Sequence, residues 1–168
     1  MRRISLAVIT GSIVAMISTT GCAKKGCTDK LATNYCEKCK KDDGSCTYKG
    51  KVVFWWDQTF KDAAVVPGIT TTITIYVNGS PIATRDVSQY WASQPNCTDQ
   101  GAIVYEKDMG KEKSQTITWY YEVKWQGVDC TFKRESATYT LQGGQCGAIK
   151  FSGNDAGTFS GTQCGGGA

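Results

Sequence analysis

Hydrophobic and polar residues alternate along most of the chain after Gly50. Ile69, Thr71, Ile73, Ile75 and Val77 fall on one face of an extended segment, with Thr70, Thr72, Thr74 and Tyr76 on the other. A period of two predicts a half-buried strand. Asn78-Gly79 marks a tight turn into Ile82-Ala83-Thr84, which predicts a hairpin. Ile117, Trp119, Tyr121, Val123 and Trp125 alternate with Thr118, Tyr120, Glu122 and Lys124, the clearest strand of the chain. Val52-Val53-Phe54-Trp55-Trp56 opens the set, and residues 102–106, 131–133, 137–141 and 148–151 complete it. No segment has the period of an amphipathic helix. The expected fold is therefore mainly β: an antiparallel β-sandwich, Ig-like or transthyretin-like, over residues 50–151. Successive strand side chains point to opposite faces. One of Trp55 and Trp56 is thus expected in the core with Trp119 and Trp125, and the other exposed.

Residues 26–48 break this pattern. They hold too few apolar side chains for a core, and Asp42-Asp43-Gly44-Ser45 is a turn signal. So small a unit needs covalent staples. The chain has nine cysteines and no histidine. Cys22 set aside, eight remain: Cys27, Cys36, Cys39, Cys46, Cys97, Cys130, Cys146 and Cys164, an even set that suits a closed disulfide framework in an exported protein. Structural disulfides are the first expectation for the N-terminal four. A Cys₄ zinc site lacks a second close pair beside Cys36-x-x-Cys39, and a redox pair lacks its βαβ setting. Asp29, Asn34, Asp42 and Asp43 are oxygen donors for calcium, without the alternating acidic loop that holds it. No metal or cofactor is expected. Among the C-terminal four, the preferred pairing is Cys97 with Cys146, leaving Cys130 and Cys164 to tie down a Gly- and Ser-rich tail over residues 152–168.

The N-terminus has the layout of a secretory signal. Met1-Arg2-Arg3 is basic, residues 4–17 are mostly apolar, and Ser18-Thr19-Thr20-Gly21 is small. Gly21-Cys22 resembles the lipobox of bacterial lipoproteins, although Thr19 stands where leucine is commonest. The resemblance implies a signal peptide over residues 1–21 and a lipidated Cys22, followed by a basic tether to residue 25. Ala23 after the cysteine implies an outer-membrane destination, lipid-anchored, in a Gram-negative bacterium, with the face unassigned. Gly26-Cys27-Thr28-Asp29, Ala32, Asn34-Tyr35 and Asp42-Asp43-Gly44-Ser45-Cys46, with Tyr48, resemble a short repeat of secreted and surface proteins of such bacteria. In that repeat, Cys27 and Cys46 form the framework pair, and Cys36 and Cys39 are additions. Val52 to Asp57 and Tyr90-Trp91 … Cys97 resemble the small β modules that accompany the repeat in envelope lipoproteins.

Composition narrows the function classes. Arg2 and Arg3 are the only charged residues in 1–21, so the net charge falls from +4 to +2 without them. That is too weak and scattered for nucleic acid. Without histidine, the commonest general base is missing. There is no G-x-S-x-G elbow or phosphate-cradling loop. Asp57, Glu106, Asp108 and Glu122 are the carboxylates available to a glycosidase, but an enzyme is not expected. The expectation is an envelope protein acting through protein contacts, with an edge strand as docking surface, or in a surface structural role. The alternative is a glycan-binding module using exposed aromatics, for which Trp55, Trp56, Tyr76, Trp91 and Tyr120 are candidates.

Overall fold

A computed structural model describes residues 23–134 and 136–153. The expected signal peptide, Cys22, Cys164 and residues 154–168 lie outside the described residues. Two β-sheets face each other across one hydrophobic core, as the alternating pattern predicts.

The smaller sheet is built on β1 (Tyr48–Trp56), which pairs antiparallel with β4 (Ile103–Gly110) and parallel with β8 (Cys146–Phe151). The larger sheet runs β3 (Ser80–Asp86), β2 (Thr71–Val77), β5 (Ser114–Trp125), β6 (Thr131–Lys133). Strand β7 (Ala137–Gln142) also pairs with β5, next to β6 along the same edge. Register shows why these two are separate. Lys133 lies opposite Glu122, but Ala137 lies opposite Trp119, one residue out of step. Together β6 and β7 form one long arm of a hairpin, interrupted where the arm carries an extra residue.

Among the described strands, the β1–β8 pair departs from the antiparallel pattern. The chain leaves β7 in one sheet and crosses to the other at Gly143-Gly144, where Gly144 adopts φ 68° and donates its N–H to the Lys49 carbonyl at 2.8 Å. A pairing between strands so far apart leaves no trace in local periodicity.

The core follows the predicted faces. Val52, Phe54 and Trp56 meet Ile73, Ile75, Ile117, Trp119, Tyr121 and Val123. Phe151 is the hub, with its ring centroid 4.6 Å from Tyr121, 5.8 Å from Trp119, and 5.9 Å from both Trp56 and Phe60.

Two expectations need correction. A helix does occur, α1 (Gln58–Ala64), capped by Asp57, whose Oδ1 accepts from the Phe60 N–H at 3.1 Å. Phe60 and Ala64, four residues apart, are its buried positions. Seven residues are under two turns, too few to establish a helical period. The second correction concerns Trp55. It points out of the sheet, opposite to Trp56, yet is only 8% exposed. Lys150 Nζ lies 5.2 Å from its ring centroid. The connection after β3 is stapled to the same outer face, where Cys97 is bonded to Cys146, and Pro95 within it is buried. Both tryptophans of the pair are therefore largely buried, on opposite faces of β1.

The N-terminal appendage is joined by Cys27–Cys46 and Cys36–Cys39. It docks on the sandwich through Asp29, whose Oδ2 accepts from Lys113 Nζ at 2.7 Å and from the Tyr48 hydroxyl at 2.8 Å. Strand β1 starts at Tyr48, so the appendage runs into the sandwich without a linker.

Candidate functional site

The larger sheet is wider than the smaller one, and its edge strand β3 overhangs. Ala83 and Arg85 of β3 lie opposite Ile75 and Ile73, both fully buried, so they share the inward face. Yet Arg85 is exposed, and among the described residues no strand of the three-stranded sheet covers it. The connection between β3 and β4 closes this flank only in part. Between them lies a groove of about 280 Å³ lined by Trp56, Arg85, Gln89, Tyr90, Trp91, Gly101 and Ile103.

Its walls are held by the backbone. Trp56, the floor, donates Nε1–H to the Val87 carbonyl at 2.8 Å. The Trp91 N–H donates to the Trp56 carbonyl at 2.9 Å, which ties the aromatic wall to the end of β1. Asp86 Oδ1 accepts from the Ser88 N–H at 2.8 Å, and the Ser88 side chain together with that N–H keeps its carboxyl below the usual carboxylate range. Gly101, at φ 87°, turns the chain back into β4, a conformation a residue with a Cβ rarely takes. The Cys97–Cys146 bond closes a loop of 49 residues, worth about 4 kcal/mol in the chain-entropy picture. A groove fixed this way does not have to be ordered when a ligand arrives.

Arg85 is the one charged residue of the lining. Its Nη1 donates to the Thr84 carbonyl at 3.1 Å, and it forms no ion pair among the described residues. A guanidinium carries five donors in a planar fork, so most remain open to an acceptor in the groove. Tyr90, 40% exposed, and the half-buried Trp91 add aromatic surface, and Gln89 adds an amide.

The five aromatics named from sequence are thus dispersed. Trp91 is a wall of the groove and Trp56 its floor, while Trp55 is covered on the outer face. Tyr76 and Tyr120 stand on the outer face of the larger sheet, stacked at 4.5 Å with 8° between their planes. Lys133 Nζ lies 4.2 Å from the Tyr120 centroid. The Tyr76 hydroxyl donates to Glu122 at 3.1 Å, and burial followed by that bond raises its pKa above 10.0. Each ring covers one face of the other. Arg85, Gln89, Tyr90, Gly101 and Ile103 were not legible as site residues. Gln89-Tyr90-Trp91 beside a cysteine is a local hint, but Arg85 joins them only through strand register.

Each carboxylate named from the sequence is engaged by other groups of the chain. Glu106 lies on the outer face of the smaller sheet with Lys51 at 2.7 Å and Lys49 at 3.1 Å. Glu122 lies on the outer face of the other sheet, across the core. Asp57 caps α1 and binds Lys150 at 2.6 Å, which holds its carboxyl far below the usual range. Asp108 accepts from the Gly110 N–H. The calcium candidates are likewise engaged by the chain itself. Asp29 docks the appendage, Asp42 and Asp43 accept from the N–H groups of Gly44 and Ser45, and Asn34 spans Ser45 and Thr47. No three acidic or cysteine side chains converge on a metal position among the described residues.

Cys130 is also disulfide-bonded, and its expected pairing with Cys164 falls outside the described residues. Among those residues, no helix is long and apolar enough to cross a membrane. Searches against protein-family models, curated proteins and solved structures return no match.

Proposed function

We propose that the chain is a lipid-anchored protein of the Gram-negative outer membrane whose sandwich is a non-catalytic binding module, with the β3–β4 groove as its contact site. The groove carries this reading: an aromatic and cationic surface fixed by main-chain hydrogen bonds and a disulfide. The arrangement of carboxylates supports a non-catalytic role, since each named acid is held by a cation or a backbone N–H. Contact through an added edge strand is the weaker form of the reading. Strand β3 has Pro81 at its start and a register shift opposite, between Ile75 and Tyr76, and β4 carries Glu106, Lys107 and Asp108. Proline, bulges and charges are features that deter edge pairing. The anchor rests on the Gly21-Cys22 junction. A diacylated cysteine is held far more firmly than a single acyl chain allows.

The intact mass of detergent-extracted protein tests the anchor. The expected mass is that of residues 22–168 plus acyl chains, with no alkylatable thiol before reduction. Cys22→Ser should release the protein from the membrane fraction. An unlipidated precursor in the wild type would sink the proposal.

A further inference from the structure

We propose that the β3–β4 groove binds an acidic saccharide, with the hexuronate carboxylate on Arg85 and the sugar ring against Trp91 and Tyr90. This rests on the reading of the groove as the contact site and names its ligand class. Three observations select that chemistry. At about 280 Å³ the groove is slightly smaller than the ~300–1,000 Å³ of most small-molecule sites, so it suits a sugar unit or two and not a peptide strand or helix. Its lining mixes indole and phenol surface with an amide and a guanidinium, matching a pyranose with an apolar C–H face and a polar rim. The single charge is a cation without an ion-pair partner among the described residues. Desolvating it favours an anionic ligand, because a guanidinium binds a carboxylate through two parallel hydrogen bonds.

An inward-pointing charge on an edge strand also deters edge-to-edge association. The two roles for Arg85 make different predictions. An edge guard leaves ligand affinity unchanged when replaced and lets the protein self-associate. A carboxylate anchor loses acidic ligands and leaves neutral ones alone.

The experiment titrates the full-length protein in detergent with trigalacturonate, a hyaluronan tetrasaccharide, neutral maltotriose and a triglutamate peptide. Tryptophan fluorescence and calorimetry are the readouts, taken into the millimolar range. At least one uronate is expected to bind more tightly than maltotriose and triglutamate. Arg85→Gln, an exposed position, should weaken uronate binding by about tenfold or more, since a hydrogen bond to a charged group is of that size, and should leave maltotriose unchanged. Trp91→Ala should weaken both sugars, with near-UV circular dichroism as the check on folding. Binding of neither uronate, or uronate binding indifferent to Arg85→Gln, overturns the proposal. Preference for triglutamate also overturns it while leaving the groove as a protein-contact site. Failure of the anchor is read separately, in the intact mass.

Discussion

Residues 26–47 and the sandwich stand side by side in one chain but are stabilised by different physics. The sandwich buries a continuous layer of aromatic and branched side chains, with five aromatic rings around Phe151. The appendage adds only Cys27, Ala32 and Cys46 as buried apolar positions, and these join the edge of the same core cluster. It replaces the missing core with two disulfides and with side chains turned onto their own backbone, as at Asp42, Asp43 and Asn34. A segment of this size cannot bury enough apolar surface to offset chain entropy. Cysteines thus do two jobs in this chain. In the appendage they substitute for a core. In the sandwich, Cys97–Cys146 positions a connection over a core that already exists.

The largest expected effect comes from removing the hub. Phe151→Ala should cost ~3–5 kcal/mol and lower the urea midpoint of the whole sandwich, read by tryptophan fluorescence. A loss well under 1 kcal/mol would mean that the core is not organised around this ring.

Breaking the appendage should be a local event. The Cys27–Cys46 bond spans 19 residues, which corresponds to about 3 kcal/mol in the chain-entropy picture. Replacing both by serine should abolish hydrogen-exchange protection across 26–47 while leaving β2 and β5 protected. The Cys36–Cys39 bond closes a separation of only 3 residues, and its loss should have the smaller effect, about 2 kcal/mol. Global unfolding of the first variant would show instead that the two regions are one cooperative unit.

The smallest effect concerns the joint between the regions. The Lys113 hydrogen bond, with help from the Leu31 N–H and Tyr48, brings the Asp29 carboxyl from its ordinary value of 3.8 down to about 2. A carboxyl with a depressed folded pKa stabilises the docked state above the unfolded value and loses that contribution as pH falls through the folded one. Docking should therefore be complete above about pH 4 and weaken as pH falls toward 2. Chemical shifts of Tyr48 and Lys113 are the readout. Asp29→Asn should flatten this response with the sandwich midpoint unchanged, and a full pH response in that variant would assign the joint to another group.

Much of the fold was legible because burial on one face imposes a period of two. The alternation holds through β2 and β5, although β2 starts at Thr71 and not Ile69 and β5 starts at Ser114 and not Ile117, and Asn78-Gly79 turns the β2–β3 hairpin with Asn78 at φ 49° and Gly79 at φ 80°. Helix α1 is not legible in the sequence because two buried positions make no pattern. The site was mostly illegible. Trp91 was nameable as an aromatic in a stapled connection, but Arg85 reads in the sequence as an ordinary polar residue of an edge strand.

What the sequence determines alone is local: which residues alternate, where the chain turns, and that a core-poor segment must be held by cysteines. These follow from the chemistry of neighbours a few positions apart. Only the tertiary structure decides that β8 lies parallel to β1, that Trp55 is covered on the outer face, and that one sheet is wider than the other. The overhang leaves Arg85 facing inward with no strand over it among the described residues. Those outcomes depend on how two sheets of unequal width meet across a core, and no single segment of the chain encodes that meeting.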